Sequence, residues 1–359
     1  MQINNQSSYW ARLRGAYFIT ALFVICMHNS SFANYSNDTA LSSAAVVAYD
    51  TLKRSVMQIA VPFFFLMAGF NYFRNYDASK WKRKTANRVK SLLIPYFFWN
   101  TTYCVFCAVT SNTWVSRFFI GREKFTISLQ NVLSGCLYHL KCNSHFWFVF
   151  VLMLLSVINI GMYHVIRKRT IALGFLILTA LAVYVYRVHV PEELIYRLDA
   201  FLYYYLGAYL ALHHATIFDQ DITISQKLKC KGSLINCMVG VMMLAATLIL
   251  LIPGLPYIIE PFIILTGCAG LWEISMAWKN HKGTLLTAGG TTFLMYAFHG
   301  IIQPISVKLL YLLLPKYDSF ALINFVLAAA STAAICTLIR MFMRRFVPNV
   351  DHVMTGWRQ

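Results

Sequence analysis

The sequence predicts an all-α membrane protein, a polytopic bundle of about ten transmembrane helices, and three observations predict it. Of the 359 residues, 58% are hydrophobic and only 12% are charged, whereas a soluble globular chain carries about 25% charged residues. Apolar runs of about 20 residues, the length a helix needs to cross roughly 30 Å of hydrocarbon, recur along the whole chain. The charge is also lopsided, with 31 Lys and Arg against 13 Asp and Glu and a formal net of +18. A mean hydropathy of +0.57 excludes an ordinary soluble enzyme. An aromatic share of 16% excludes a disordered chain, which is poor in aromatics and rich in charge. In a soluble protein the basic excess would point to nucleic acid. Here it points to membrane orientation, and no nucleic-acid partner is expected.

The apolar runs fall at about 15–33, 57–75, 92–110, 146–164, 170–187, 197–214, 234–252, 258–278, 286–307 and 320–342. No repeat or low-complexity tract interrupts them, so residues 1–359 read as a single membrane domain. The first run is too long for a cleaved signal peptide and lacks a small-residue cleavage site. Placing the N-terminus in the cytoplasm sorts the basic residues unevenly. Inside lie Arg12, Arg14, the seven from Arg74 to Lys90, Arg167, Lys168, Arg169, Lys227, Lys229, Lys231, Lys279, Lys282, Arg340, Arg344, Arg345 and Arg358, which is 21 of the 31. Outside lie Lys53, Arg54, Arg117, Arg122, Lys124, Lys141, Arg187, Arg197, Lys308 and Lys316, which is 10. That bias favours ten spans with both termini inside. Residues 111–145 form a long, partly amphipathic outside stretch with room for a re-entrant or interfacial helix.

No metal-ligating set is read from the pattern. Cys104-Val-Phe-Cys107 has C-x-x-C spacing but lies mid-membrane without a second pair, unlike a structural zinc site. Cys136 and Cys142 flank an outside segment and would be free to form a disulfide if that side is oxidising.

Ionisable groups in the hydrocarbon cost at least about 2.5–3.5 kcal/mol at the centre, so they default to functional candidates. His28 lies 14 residues beyond Arg14, roughly 20 Å along a helix and within about 40° of the same face. His28 reads either as a neutral histidine bonded to a neighbouring helix or as a reactive group. His299 lies at a matching depth in the ninth span, with Tyr296 one turn earlier on the same face. The two histidines either pack separately or face a common cavity. His145-Phe-Trp-Phe148 opens the fourth span, where His145 and Trp147 serve as an interfacial anchor or as substrate contacts. Tyr203, Tyr204, Tyr205 and Gly207 read as packing residues. Glu260 is expected in water, and Glu273 lies deeper without an identified partner. The loop Lys80-Trp-Lys-Arg-Lys84, continuing through Arg88 and Lys90, is the densest basic cluster. It is an orientation signal that also binds anionic head groups, or a phosphate-binding mouth in which cations and Trp81 suit a phosphorylated nucleotide.

Taken together, these segments resemble the acyltransferase-3 family of integral membrane acyltransferases. Arg14-Gly-Ala-Tyr-Phe-Ile-Thr-Ala-Leu-Phe-Val-Ile-Cys-Met-His28 resembles the family's opening Arg…His helix. Val61-Pro-Phe-Phe-Phe-Leu-Met-Ala-Gly-Phe70 resembles its PxFFxxSGF segment, and Arg88-Val-Lys-Ser-Leu-Leu-Ile-Pro-Tyr-Phe-Phe-Trp99 its RxxRLLxPYxxW segment. His145-Phe-Trp-Phe148 is similar to HLWFL, Phe201 through Gly207 to the Gly-bearing sixth helix, and Thr292-Phe-Leu-Met-Tyr-Ala-Phe-His299 to SFxIYxxH. The six run in family order over about 290 residues. The chain departs from the pattern in its longer Arg-to-His spacing, in Ala68 where the family has Ser, and in lacking a Glu after Trp147. The last departure favours the group with the shorter WFL form over the polysaccharide O-acetyltransferase branch.

The resemblance implies transfer of an acyl group, most often acetyl, from cytoplasmic acyl-CoA to a hydroxyl of a cell-envelope glycan. It implies a multi-pass protein of the bacterial inner (cell) membrane, no permanently bound cofactor, and acetyl-CoA as cosubstrate. Under this reading Arg14, Arg74, Lys82, Arg83, Arg88 and Lys90 hold the coenzyme phosphates. His28 acts as general base or acyl-accepting nucleophile, and His299 or Tyr296 orients the acceptor or polarises the thioester. The rival class is a proton-coupled transporter or exporter of a small solute. Against it, the chain lacks matching Gly/Pro-broken helices and deep acidic residues in several spans. A third reading is a degenerate member acting as a structural partner in envelope synthesis.

Overall fold

A computed structural model describes residues 2–32, 35, 43–111, 113, 125–138, 142–189, 192–219, 233–251, 259–280, 284 and 287–358. The helices are α1 (Gln2–Met27), α2 (Ser43–Arg54), α3 (Ala60–Phe73), α4 (Trp81–Ser111), α5 (Leu129–Leu137), α6 (Trp147–Ile166) and α7 (Arg169–His189). They continue as α8 (Glu192–His213), α9 (Thr216–Asp219), α10 (Ser233–Leu250), α11 (Glu260–Ile274), α12 (Gly289–Leu313), α13 (Asp318–Phe346) and α14 (Pro348–Thr355). No strand occurs among the described residues. Among the described residues, eight helical runs are long and apolar enough to cross a membrane. The remaining two of the ten expected, 197–214 and 234–252, correspond to α8, whose first turns carry Glu192, Glu193, Arg197 and Asp199, and to the shorter apolar Leu234–Leu250. The stretch 111–145 contributes α5, capped where Ser128 Oγ accepts from Asn131 N–H at 3.2 Å. Arg117, Arg122, Lys124, Lys141, Lys227, Lys229, Lys231 and Lys282 lie outside the described residues.

The chain forms two compact units from interleaved segments. The first comprises 1–20, 51–87 and 154–284. Within it α3 and α8 cross where both lack a side chain. A Cβ on Gly69 would stand 2.1 Å from the Tyr204 carbonyl oxygen, and one on Gly207 would stand 1.9 Å from that of Leu66. Small residues permit this backbone approach, which drives helix association where the hydrophobic effect between helices is absent. The same device joins α10 and α11, where a Cβ on Gly240 would meet the Gly270 carbonyl at 2.5 Å. Tyr203, Tyr204 and Tyr205 are all buried, and Tyr204 Oη exchanges hydrogen bonds with the Asn159 amide. Glu260 is not solvated as expected: Arg187 of α7 pairs with both Glu260 and Asp199, knitting α7, α8 and α11 together. The two carboxylates share one largely buried guanidinium, which offsets their removal from water.

The second unit comprises 21–50, 88–153 and 285–359. Arg340 of α13, 1% exposed, donates to Asp351 Oδ1 (3.3 Å), Thr291 Oγ1 (3.1 Å) and the Arg358 carbonyl (2.9 Å), fixing α12, α13 and α14 together. Trp99 of the PYxxW segment donates its indole N–H to the Met354 carbonyl at 3.0 Å. Gly356 closes α14 in the left-handed region at φ 63°, where a Cβ would stand 2.1 Å from the Ser91 carbonyl, so only glycine fits.

Two further sequence expectations differ from the structure. The first span does not run to residue 33: α1 ends at Met27, and His28 lies on the turn beyond it. The basic cluster is not a loop, because Lys82 through Lys90 form the first turns of α4, preceded by the short 3-10 turn Ala78–Lys80. Asp77 caps that turn. It accepts from Ser79 N–H (2.9 Å) and Ser79 Oγ (2.7 Å) and pairs with Lys80, which together lower the pKa of its carboxyl to about 2.

Candidate active site

The site of the second unit begins at the C-terminal end of α1, where backbone carbonyls lack helical partners. Gln303 of α12 satisfies one, donating to the Ile25 carbonyl at 2.7 Å. The turn that follows is pinned by Asn29, whose side chain donates to the Phe325 carbonyl of α13 (3.0 Å) and accepts from Ser31 N–H (2.9 Å). His28 sits between these two anchors and is itself exposed.

Two more imidazoles meet it. The ring centroids of His28 and His145 lie 4.3 Å apart, those of His28 and His299 5.1 Å, and those of His145 and His299 4.7 Å. One ring nitrogen from each lies within 4.8 Å of one from each of the others. His145 reaches this place on the short 3-10 turn Ser144–Phe146 that leads into α6. Its carbonyl accepts from Tyr296 Oη. Phe146 stacks on the Tyr296 ring at 5.5 Å, and Phe148 meets that ring edge-on at 5.7 Å. The His-Phe-Trp-Phe run is thus a clasp around one tyrosine of α12. Trp147 opens α6 and is half-buried. Asn143, just upstream, donates to Asn100 Oδ1 of α4 at 3.2 Å.

His299 is fully buried. A carbonyl can only accept, so the 2.7 Å contact between His299 Nδ1 and the Tyr296 carbonyl places the proton on Nδ1 and the lone pair on Nε2. The neighbouring Gly300 leaves room for the cluster: a Cβ there would stand 2.6 Å from Tyr103 Oη and 3.0 Å from His145 Nε2. Tyr103 Oη in turn donates to the Ala297 carbonyl at 3.0 Å.

The predicted phosphate ligands are spread over three elements. Lys82, Arg83, Arg88 and Lys90 lie in the first three turns of α4, with Lys82, Arg83 and Lys90 exposed. Lys90 Nζ lies 5.6 Å from the Trp357 ring. Arg14 is half-buried on α1. Arg74 closes α3 with its guanidinium 4.0 Å over the Tyr9 ring, a cation–π packing role. Arg12, read from the sequence only as an orientation charge, is 1% exposed. It donates to the Trp272 carbonyl at 3.1 Å and lies over the Trp272 ring at 4.2 Å. Cys136 and Cys142 are separate thiols.

Among the site residues, sequence reasoning missed Gln303, Asn29, Tyr103 and Asn324, whose Oδ1 accepts from Ser31 Oγ at 2.9 Å beside the His28 turn. Gln303 and Asn324 sit inside expected spans, and buried amides in a membrane helix are themselves a signal of interhelical bonding.

A family model described as an acyltransferase domain, Acyl_transf_3, matches residues 11–341. The chain belongs to this acyltransferase family. Comparison with curated proteins and with solved structures gives no match. The family match covers nearly the whole chain, and the structure adds long apolar helices, so the protein is a membrane acyltransferase, an enzyme that transfers acyl groups. The family domain includes all three clustered histidines and every basic residue of α4.

Proposed function

We propose that this acyltransferase moves an acyl group, acetyl in the simplest case, from acyl-CoA to a hydroxyl of a cell-envelope glycan, with His28 as general base. The observation that carries the reading is the meeting of His28, His145 and His299 within the second unit. His28 is exposed among them, as a group that must meet a diffusing acceptor has to be. A neutral imidazole has an ordinary pKa near 6.5 and is suited to take a hydroxyl proton once the acceptor approaches within about 2.6–3.2 Å.

The steps balance simply. The acceptor hydroxyl gives its proton to His28, and its oxygen attacks the thioester carbonyl. The tetrahedral intermediate then collapses with loss of the CoA thiolate, which takes the proton back from the imidazolium. The tautomer of His299 limits its part. With Nδ1–H committed to the Tyr296 carbonyl, Nε2 can only accept, so His299 cannot polarise the thioester. Its part is to accept from a second hydroxyl of the acceptor, because the attacking hydroxyl gives its one proton to His28. Tyr296 is committed as well, since its hydroxyl donates to the His145 carbonyl. It is a positioning residue for His145.

Acyl-CoA as donor is supported by α4. Cations crowd the N-terminal turns of this helix, where the macrodipole is already positive. Such an end recruits an anion, and phosphate is the usual one. Lys82 and Arg83, both exposed, are the leading phosphate contacts, with Arg88 and Lys90 on the next two turns.

The test is release of free CoA and formation of acylated acceptor by purified protein in detergent, supplied with acetyl-CoA and a panel of glycan acceptors. Turnover is expected without a sealed membrane. No CoA release with any acceptor, combined with solute uptake in sealed vesicles, would replace this reading with the transporter.

A further inference from the structure

We propose that His28, His145 and His299 form a binding site for a divalent transition-metal ion of the Zn2+ type. Three imidazoles with a fourth position left open are an established donor set for Zn2+, and one nitrogen of each ring already lies within 4.8 Å of one on each of the other two. His299 carries the strongest indication. Its Nδ1–H is tied to the Tyr296 carbonyl at 2.7 Å, which leaves the lone pair on Nε2. That atom is buried with no hydrogen bond to any described residue. A histidine whose one ring nitrogen donates to a backbone carbonyl, leaving the other with its lone pair, is arranged as a metal ligand is. A buried acceptor left unbonded costs stability, and a bound ion removes that cost.

The remaining geometry is within reach. Tetrahedral Zn–N bonds of about 2.0–2.1 Å place ligand nitrogens about 3.4 Å apart, so the rings must close by up to about 1.4 Å. His299 is held by its backbone bond, and the backbone of His145 is held by Tyr296. Closure therefore falls to rotation of the His28 and His145 side chains, neither fully buried, on backbones that stay anchored. A bound ion occupies the lone pair that His28 needs as a base, so Zn2+ suppresses acyl transfer and a chelator restores it. That consequence rests on the function proposed above, whereas binding of the ion does not.

The test is titration of the purified full-length chain in detergent with Zn2+ against a chromogenic chelator. Saturable uptake of a single ion per chain is expected. His299→Ala should weaken it at least about tenfold. His28→Gln, at an exposed position where folding is not at stake, should do the same. No saturable uptake, or uptake unchanged in both variants, would refute the site. Uptake kept by both but lost in Cys142→Ser would assign the ion to thiols and refute it equally. Uptake that depends on the histidines while acyl transfer ignores the ion would uphold the site and count against His28 as base.

Discussion

A methyl group at position 300 would stand 2.6 Å from Tyr103 Oη and 3.0 Å from His145 Nε2. Gly300→Ala must therefore displace the Tyr103 hydroxyl and ease His145 back by a few tenths of an ångström, while leaving all three histidines in the chain. We expect kcat to fall several-fold, less than the roughly hundredfold of a full-ångström misplacement, with a loss of stability of about 1 kcal/mol from overpacking. Steady-state kinetics beside thermal unfolding separates the two; unchanged kcat would remove His145 from the site. At this scale the sequence was only half legible. His28 and His299 stand out because ionisable groups at membrane depth are costly, but His145 lies at the expected membrane boundary inside an aromatic run that an interfacial anchor explains equally well. Its meeting with the other two depends on Tyr296 gripping the His145 carbonyl, a contact across 151 residues of chain. The amides that hold the His28 turn, Asn29 and Gln303, are likewise long-range partners.

Helices were legible from apolar run length, and their ends were not. The first expected span reaches residue 33 across the polar His28-Asn29-Ser30-Ser31, where Asn29 draws the chain into a turn by bonding Phe325 and Ser31. The basic stretch before the third span looks like a solvated loop by charge, but it carries no helix breaker between Trp81 and Lys90 and winds as the start of α4. Cations on those turns set up a donor-specific prediction. Lys82→Gln with Arg83→Gln should raise KM for acyl-CoA several-fold, more at low salt than at high salt, because exposed charge is screened. KM for the acceptor should hold; an equal rise in both would assign these residues to folding or orientation. Helix contact gives the second prediction. In Gly207→Val the added Cβ would meet the Leu66 carbonyl at 1.9 Å, and backbone cannot yield as a flexible side chain does. We expect loss of stability at or above the top of the roughly 1–3 kcal/mol overpacking range, read as a lower melting temperature and aggregation on size-exclusion chromatography. A variant as stable as the parent would show that α3 and α8 do not need this close crossing.

For the whole molecule, composition and the order of six motif segments led to a polytopic membrane acyltransferase, and the family match over 11–341 states the same. The interleaving of the chain into two units was beyond sequence reasoning, since helix pairing rests on glycine contacts such as Gly69 with Tyr204 and Gly240 with Gly270 that run length does not encode. The central claim is that His28, at the end of α1, does the proton chemistry of acyl transfer. The direct measurement is the rate of acceptor-dependent CoA release by purified wild-type protein and by His28→Ala, both checked for equal melting temperature. If His28 is the base, the rate falls by about 10²–10⁴-fold, the usual contribution of a general base, with the fold intact. A His28→Ala protein that releases CoA at near the wild-type rate would contradict it.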